Sequence, residues 1–403
     1  MHWKLTIKKI FIFLCLGMSL LSTVAAYALT QDDFNMPRGV TPISHDIYTL
    51  HMTIFWICVA IGILVFGVMF YSLFYHRKSR GVIAAQFHEH AWVEFLWVVI
   101  PFIILVVMAI PASLVLMRME DQTHSDISIR ITGYQWKWKY DYLDNGISFF
   151  SVLSTPLEEI LGKKPKSQWY LLEVDKNLVV PINKKIRFLV TANDVIHSWW
   201  VPAFGIKRDA IPGFIHESWA RIEKPGIYRG QCAELCGVGH GFMPIVVEAK
   251  TQEDYDKWVA LQRQQLATEK AAATVTLSYA DLMKQGQATY NKTCAACHKD
   301  NGAGIPPVFP ALKGSSVTVG NIVKHIQIVL KGVPNTAMQA FDNQLNDAEL
   351  AAVITYERNA WGNNTGDAVQ PSDIKAIRAG AKILPSKEKA AEPAATNKMR
   401  ISG

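Results

Sequence analysis

Charge is scarce in this sequence, and none of it is gathered into long blocks of one sign. Asp, Glu, Lys and Arg make up 19% of the 403 residues, the formal net charge is +7, and Lys4, Lys8 and Lys9 supply three of those charges. No long lysine and arginine run with interleaved aromatics occurs, which sets nucleic-acid binding aside. Cysteine is also sparse. Of Cys15, Cys58, Cys232, Cys236, Cys294 and Cys297, the first two lie in apolar runs and read as inert. The other four form two close pairs, each followed by His, a pattern of metal or haem attachment and not of a disulfide framework. No set of side chains suited to binding oxygen is present.

Apolar residues are abundant instead, at 50% of the chain, and the length exceeds one ordinary domain. Residues 1–28 have a basic start, an apolar stretch and small residues ending at Ala26-Tyr27-Ala28, the grammar of a signal peptide; an uncleaved anchor is the alternative. Two long apolar runs follow, 52–75 and 95–117, the second interrupted by Pro101 and Pro111. They predict a transmembrane hairpin over 29–120 with helices at about 50–75 and 93–117. The basic loop His76-Arg77-Lys78-Ser79-Arg80 between them stays inside, so everything C-terminal is exported.

Beyond the hairpin the apolar period changes to two. Ile127, Ile129 and Ile131 alternate with polar residues, as do Ile186, Phe188 and Val190, which predicts an antiparallel β-sandwich or barrel over 121–252. Residues 145–168 show no such period and read as a loop. Residues 253–277 read as a helix and linker, 278–361 as a compact helical domain, and 362–403, rich in Ala, Lys, Glu and Pro, as a disordered tail.

The most informative stretch is Cys232-Ala233-Glu234-Leu235-Cys236-Gly237-Val238-Gly239-His240-Gly241-Phe242-Met243. Two thiolates, an imidazole and a thioether form a soft ligand set. Zinc fits that composition, but Met243 favours copper, because a thioether is a poor zinc ligand and a common weak copper ligand. Further along, Cys294-Ala295-Ala296-Cys297-His298 is the c-type haem attachment pattern, two thiols for the haem vinyl groups and a histidine for iron. Only Met338 and Met399 follow His298, and Met399 falls in the tail, so Met338 is the expected second axial ligand, with His325 on a predicted amphipathic helix as its rival.

With His197-Ser198-Trp199-Trp200-Val201-Pro202 upstream, the pattern Cys-x-Glu-x-Cys-x-x-x-His-x-x-Met resembles cytochrome c oxidase subunit II, here with a c-type cytochrome domain fused at its C-terminus. The likeness extends to Met36-Pro37-Arg38-Gly39-Val40-Thr41-Pro42, to Gly133–Tyr140 and to Lys207–Gly213. It implies a multidomain chain: a two-helix transmembrane hairpin, an all-β cupredoxin-like sandwich carrying the binuclear copper centre CuA, and an all-α class I cytochrome c domain. It implies that Cys232 and Cys236 bridge two coppers, that His197 and His240 cap one each, and that Met243 and the Glu234 carbonyl are weak axial ligands. It further implies a magnesium ion shared with subunit I through the Glu234 carboxylate, which is otherwise a solvated loop group.

Trp136 is implied as the electron-entry residue, where aromatics on a strand are otherwise core packing. Glu94, before Trp97, is implied as the entrance of a proton path; the helix dipole alone also accounts for a carboxylate there. The segment Gly304–Leu312 resembles the stretch beside haem in cytochrome c, whereas Gln339 stands where the family carries Pro after the axial Met.

The function so implied is passage of electrons from a cytochrome c donor through haem c to CuA and on to subunit I, where oxygen is reduced and protons are translocated. The expected partners are subunits I and III and the lipid of the bacterial inner membrane, with CuA and haem c on its outer side. A nitrous-oxide-reductase-like CuA protein needs a histidine-rich propeller, which 12 His and two membrane helices do not supply, and a copper module without redox role leaves the haem unexplained.

Overall fold

The computed structural model describes residues 34–380 except 84, 87, 273–275 and 335. The expected signal segment 1–28 and residues 381–403 of the tail lie outside the described residues.

Helices α1 (Pro42–Tyr75) and α2 (Ala91–Met119) are both long and apolar enough to cross a membrane, and their apolar windows are not buried by the protein. α1 begins earlier than the expected start near 50. Thr41 caps it, accepting from the Ser44 N–H at 3.0 Å, and Pro42 occupies the first helical turn where its missing N–H costs nothing. The apolar run marks the bilayer, whereas the cap marks the helix, and here the helix emerges beyond the lipid. That emergent end is fastened to the β-domain: the Thr41 hydroxyl donates to the Phe204 carbonyl at 2.8 Å, and the Val40 N–H to that of Ala203 at 2.8 Å. At the end of α2, the Trp219 indole donates to the Arg118 carbonyl at 3.0 Å, while Arg118 pairs with Asp46 of α1 at 2.9 Å.

Among the described residues ten strands form two five-stranded sheets. One has the order β3 (Ile147–Ser151), β2 (Lys137–Tyr142), β1 (Ile127–Tyr134), β5 (Ile186–Ala192), β8 (His216–Ala220). The other runs β4 (Leu178–Pro181), β10 (Pro244–Lys250), β9 (Gly226–Cys232), β6 (His197–Val201), β7 (Ile206–Ala210). The period-two residues face inward as expected: Ile129, Ile131, Ile186, Phe188 and Val190 are fully buried, with Trp138, Tyr140 and Trp199 between the sheets. Each such side chain contributes on the order of 1.5–3 kcal/mol by leaving water.

The expected loop over 145–168 is corrected in part. Ile147, Phe149 and Ser151 turn inward on β3, which pairs with β2, and residues Leu157–Ile160 form the single-turn helix α3. Alternation over five residues, broken by outward Phe150 and inward Ser151, was too short a signal. Helix α4 (Gln252–Ala272) rides on the sandwich through Tyr255 and Val259, with the Trp258 ring tilted against Tyr142 at 5.2 Å between ring centroids.

The C-terminal domain comprises α5 (Tyr279–Thr293), α6 (Ala295–His298), α7 (Ile322–Lys331), α8 (Asp347–Asn359) and α9 (Pro371–Arg378). The last element overturns the expectation of a disordered tail from 362 for residues 362–380. Val369 and Ile374 are fully buried in this domain's core, and the Gln370 amide oxygen accepts from the Leu277 N–H at 2.9 Å. Averaged over the whole tail, the Ala, Lys and Glu content hid one amphipathic turn that the core needs.

Candidate metal and haem centres

Strand pairing assembles the thiolate site. β6 and β9 are antiparallel neighbours with Trp199 opposite Cys232, so His197 at the head of β6 meets Cys232 at the end of β9. The chain then loops through Cys236 and His240 before re-entering the sheet as β10 just after Met243. The result brings every expected donor together. The two sulfurs are 3.8 Å apart; His197 Nδ1 is 4.0 Å from Cys232 Sγ, and His240 Nδ1 is 3.6 Å from Cys236 Sγ. Met243 Sδ lies 3.5 Å from Cys236 Sγ, and the Glu234 carbonyl 3.4 Å from Cys232 Sγ. A pair of thiolates, each with its own imidazole and its own weaker donor, suits two soft metal ions sharing both sulfurs.

The surroundings fix these donors. The Asp194 carboxylate accepts from His197 Nε2 at 2.8 Å, turning Nδ1 toward the sulfurs, and also from the N–H groups of Gln135 and Val195, each at 2.7 Å. Gly133 is required beneath His197, because a Cβ there would lie 2.8 Å from the ring. Burial pulls the His197 imidazole down, but its bonds to Asp194 and Cys232 outweigh that and the net direction is up. The neighbouring Cys236 thiol, with help from His197, holds the Cys232 thiol well below its ordinary range, while the same contact and burial push Cys236 up. One thiolate thus forms readily, and the second forms when a metal cation replaces the shared proton.

The second site is an apolar cavity of about 320 Å³ in the C-terminal domain. Cys294, Cys297, His298 and Met338 all line it, together with Val308, Phe309 and Leu312 of the segment expected beside haem. His298 Nδ1 bonds the Pro310 carbonyl at 2.8 Å, which leaves Nε2 for iron. His325 lines the cavity too, but its Nε2 is bonded to Glu357 at 3.0 Å. An apolar slot carrying two thiols, an oriented imidazole and a thioether fits a covalently attached haem.

The two sites adjoin. Gln135, Trp136 and Lys137 of the β-domain line the same cavity as Cys294 and Met338. On its other side Trp136 donates its indole N–H to the Cys236 carbonyl at 3.0 Å, alongside the Gln135 amide at 2.8 Å, and it packs over Gly239. The domains are joined here by Gln339, whose amide donates to the Gln135 carbonyl, and by a Lys292–Asp175 pair at 2.6 Å. The Lys137 ammonium lies 5.0 Å from the Phe150 ring and 5.1 Å from Phe341, one ring from each domain. Gln339, which departs from the usual proline, therefore spends its side chain on the neighbouring domain.

Elsewhere, Glu94 Oε1 accepts from the His90 N–H at 3.0 Å at the start of α2, a capping role. Glu234 is exposed, flanked by exposed Leu235. Sequence reasoning missed Asp194, Gln135 and Lys137. Of these Asp194 carried a signal, a carboxylate three residues before a candidate histidine ligand.

A membrane hairpin, an exported β-sandwich with a bis-thiolate, bis-histidine site and a haem-attachment domain define a membrane-bound electron-transport protein. Family comparison narrows the class. Residues 9–116 match the transmembrane domain and residues 127–250 the periplasmic domain of cytochrome c oxidase subunit II, and residues 281–356 match the family described as cytochrome c oxidase, cbb3-type, subunit III. The probable cytochrome c oxidase subunit 2 of Rickettsia prowazekii is 37% identical over 271 residues, covering 67% of this chain and 83% of that relative. Cytochrome c oxidase subunit 2 of Cereibacter sphaeroides is 36% identical, covering 56% and 78%. Among solved structures, the periplasmic domain of subunit II (CoxB) of Bradyrhizobium japonicum is 42% identical, covers 35% of this chain and 96% of its own, and has a TM-score of 0.32. The chain belongs to the cytochrome c oxidase subunit II family: it is subunit II of a haem–copper oxidase, with a CuA domain and a fused cytochrome c domain.

Proposed function

We propose that the chain passes electrons from a cytochrome c donor, or a carrier like it, through covalent haem c to binuclear copper and on to the haem groups of subunit I, where oxygen is reduced to water with proton translocation. In this reading His197, Cys232, Cys236, His240, Met243 and the Glu234 carbonyl hold copper. Cys294 and Cys297 bond the haem, with His298 and Met338 on its iron. When bound, each group supplies a one-electron carrier.

The protein's own residues do the rest. The observation that carries the proposal is Trp136, which lines the haem cavity with one face and hydrogen-bonds the Cys236 backbone with its indole N–H. In this reading Trp136 is the entry residue for the copper site, reached from the haem cavity that it lines and joined to the copper-site backbone by one hydrogen bond. The sandwich holds the donors rigidly, so little rearrangement accompanies a change of charge. Fusion also replaces a collision by a tethered contact, equivalent to about millimolar local donor for a flexible tether.

Toward subunit I, the exposed carboxylate of Glu234 is the candidate for a shared magnesium ion, and exposed Leu235 and Val238 beside it suit an apolar partner surface. Glu94, in the first turn of α2 on the side of the basic loop, is the candidate proton-path entrance. Subunit III completes the assembly, which sits in a bacterial inner membrane with both carriers on the periplasmic side. Metal and haem analysis of the purified full-length chain tests the reading: it should contain two coppers and one haem with a mixed-valence near-infrared absorption. A lone zinc, or no redox-active metal, would refute it.

A further inference from the structure

Two polar atoms in the haem cavity lack partners. Thr318 is fully buried and His325 is 2% exposed, yet among the described residues neither Thr318 Oγ1 nor His325 Nδ1 has a hydrogen-bond partner. Both residues line the cavity that holds Cys294, Cys297, His298 and Met338. An unsatisfied buried polar group costs about 1–3 kcal/mol, and native proteins leave few of them. Two in one largely apolar slot point to an occupant that brings a polar group to them.

Neither residue is there by accident of packing, because each is held from behind by consecutive residues of α8. Glu357, itself buried, bonds His325 Nε2 at 3.0 Å and so presents Nδ1 to the cavity. Arg358, also buried, donates Nη1 to the Thr318 carbonyl at 2.5 Å and Nη2 to that of Gly320 at 3.1 Å, while its Nε bonds Asp367 at 2.8 Å. An ionisable residue is thus spent on each of these two cavity residues, which is the construction of a binding subsite.

Haem supplies one kind of polar substituent. Its vinyl groups are consumed by Cys294 and Cys297, its ring is apolar, and its propionates are carboxyl groups. We infer that Thr318 and His325 together hold a haem propionate, positioned by Glu357 and Arg358. The Thr318 hydroxyl donates to the carboxylate, and His325 Nδ1 shares a proton with it, donating or accepting according to which partner carries that proton. Among the described residues Lys137 is the one lysine or arginine lining the cavity, and it stands over the rings of Phe150 and Phe341. The inference rests on covalent haem at Cys294 and Cys297.

The test uses the assembled, haem-loaded oxidase. Thr318→Val, of the same shape, and His325→Gln are compared with wild type by covalent haem content, midpoint potential and the propionate-bending bands of the resonance Raman spectrum. Both should keep one haem and the near-infrared charge-transfer band of Met-ligated ferric iron, while the bending bands and the potential shift; Thr318→Ser should restore both. Lys137→Met should leave the bending bands unmoved. Bands and potential identical to wild type in Thr318→Val would overturn the inference, as would bands that move with Lys137→Met and not with Thr318→Val. Loss of an axial ligand in His325→Gln, with Met338→Ala spectrally silent, would overturn it by making His325 an iron ligand. Should His325→Gln fail to mature, the Thr318 pair decides alone. Wild-type chain without covalent haem would instead refute the underlying reading.

Discussion

Asp194 should govern copper affinity without touching copper. Its Oδ1 accepts from His197 Nε2 at 2.8 Å and from Val195 N–H at 2.7 Å, and its Oδ2 from Gln135 N–H at 2.7 Å. Asparagine has one carbonyl oxygen, so in Asp194→Asn an NH2 group must face either the imidazole N–H or the Gln135 N–H, donor against donor. One bond to a charged acceptor is lost, worth about 1.5–3 kcal/mol, and His197 loses the anion that fixes its orientation. Groups in this position typically change metal affinity by about 10- to 100-fold, which is about 1.4–2.7 kcal/mol at 25 °C. Copper competition titration of the purified chain should show a loss in that range, with a perturbed near-infrared band. Affinity unchanged within about twofold would refute the claim that Asp194 orients the ligand, since that falls far below the 10-fold expected.

Other consequences can be checked separately. In Gly239→Ala the new methyl would lie 2.3 Å from Trp136 Cδ2; the indole must move off the Cys236 carbonyl at about 1–3 kcal/mol of overpacking, so haem-to-copper transfer should slow while copper content stays constant by metal analysis. Burial lowers the Lys137 ammonium from 10.5 to about 8. The folded form therefore sheds its proton first, and stability should rise as pH climbs from about 8 toward 10.5, at up to about 1.4 kcal/mol per unit. Thermal melts of Lys137→Met should lack that rise, and an equal slope in variant and wild type would contradict it. Glu94→Gln keeps a cap acceptor for the His90 N–H but removes the charge; steady-state oxygen consumption should fall while copper reduction stays fast in stopped flow, and unchanged turnover would count against a proton role.

Much of the architecture was legible because it follows from periodicity and ligand chemistry. Long charge-free apolar runs disclosed both membrane helices, and alternation at Ile129, Ile131, Phe188 and Val190 disclosed the sandwich. Cys232, Cys236, His240 and Met243 are close in sequence, so their meeting needed only a loop. His197 is distant, and its place beside Cys232 depends on the pairing of β6 with β9, which no local pattern dictates. Composition misled where a short amphipathic piece was averaged with its surroundings, as at Ile374 and Ile377 of α9 and at Phe149 of β3. The interdomain contact was invisible beforehand. Gln135, Lys137 and Gln339 look like surface residues until the haem crevice closes over them, and only the departure from proline at Gln339 hinted at another task.

The central claim, that the haem crevice faces Trp136 and feeds the copper site within one chain, has a direct kinetic test. Photochemical injection of one electron into haem c, with copper reduction followed in the near infrared, should give a rate independent of protein concentration and strongly slowed in Trp136→Phe at unchanged copper and haem content. A rate proportional to concentration, or one indifferent to Trp136, would contradict it.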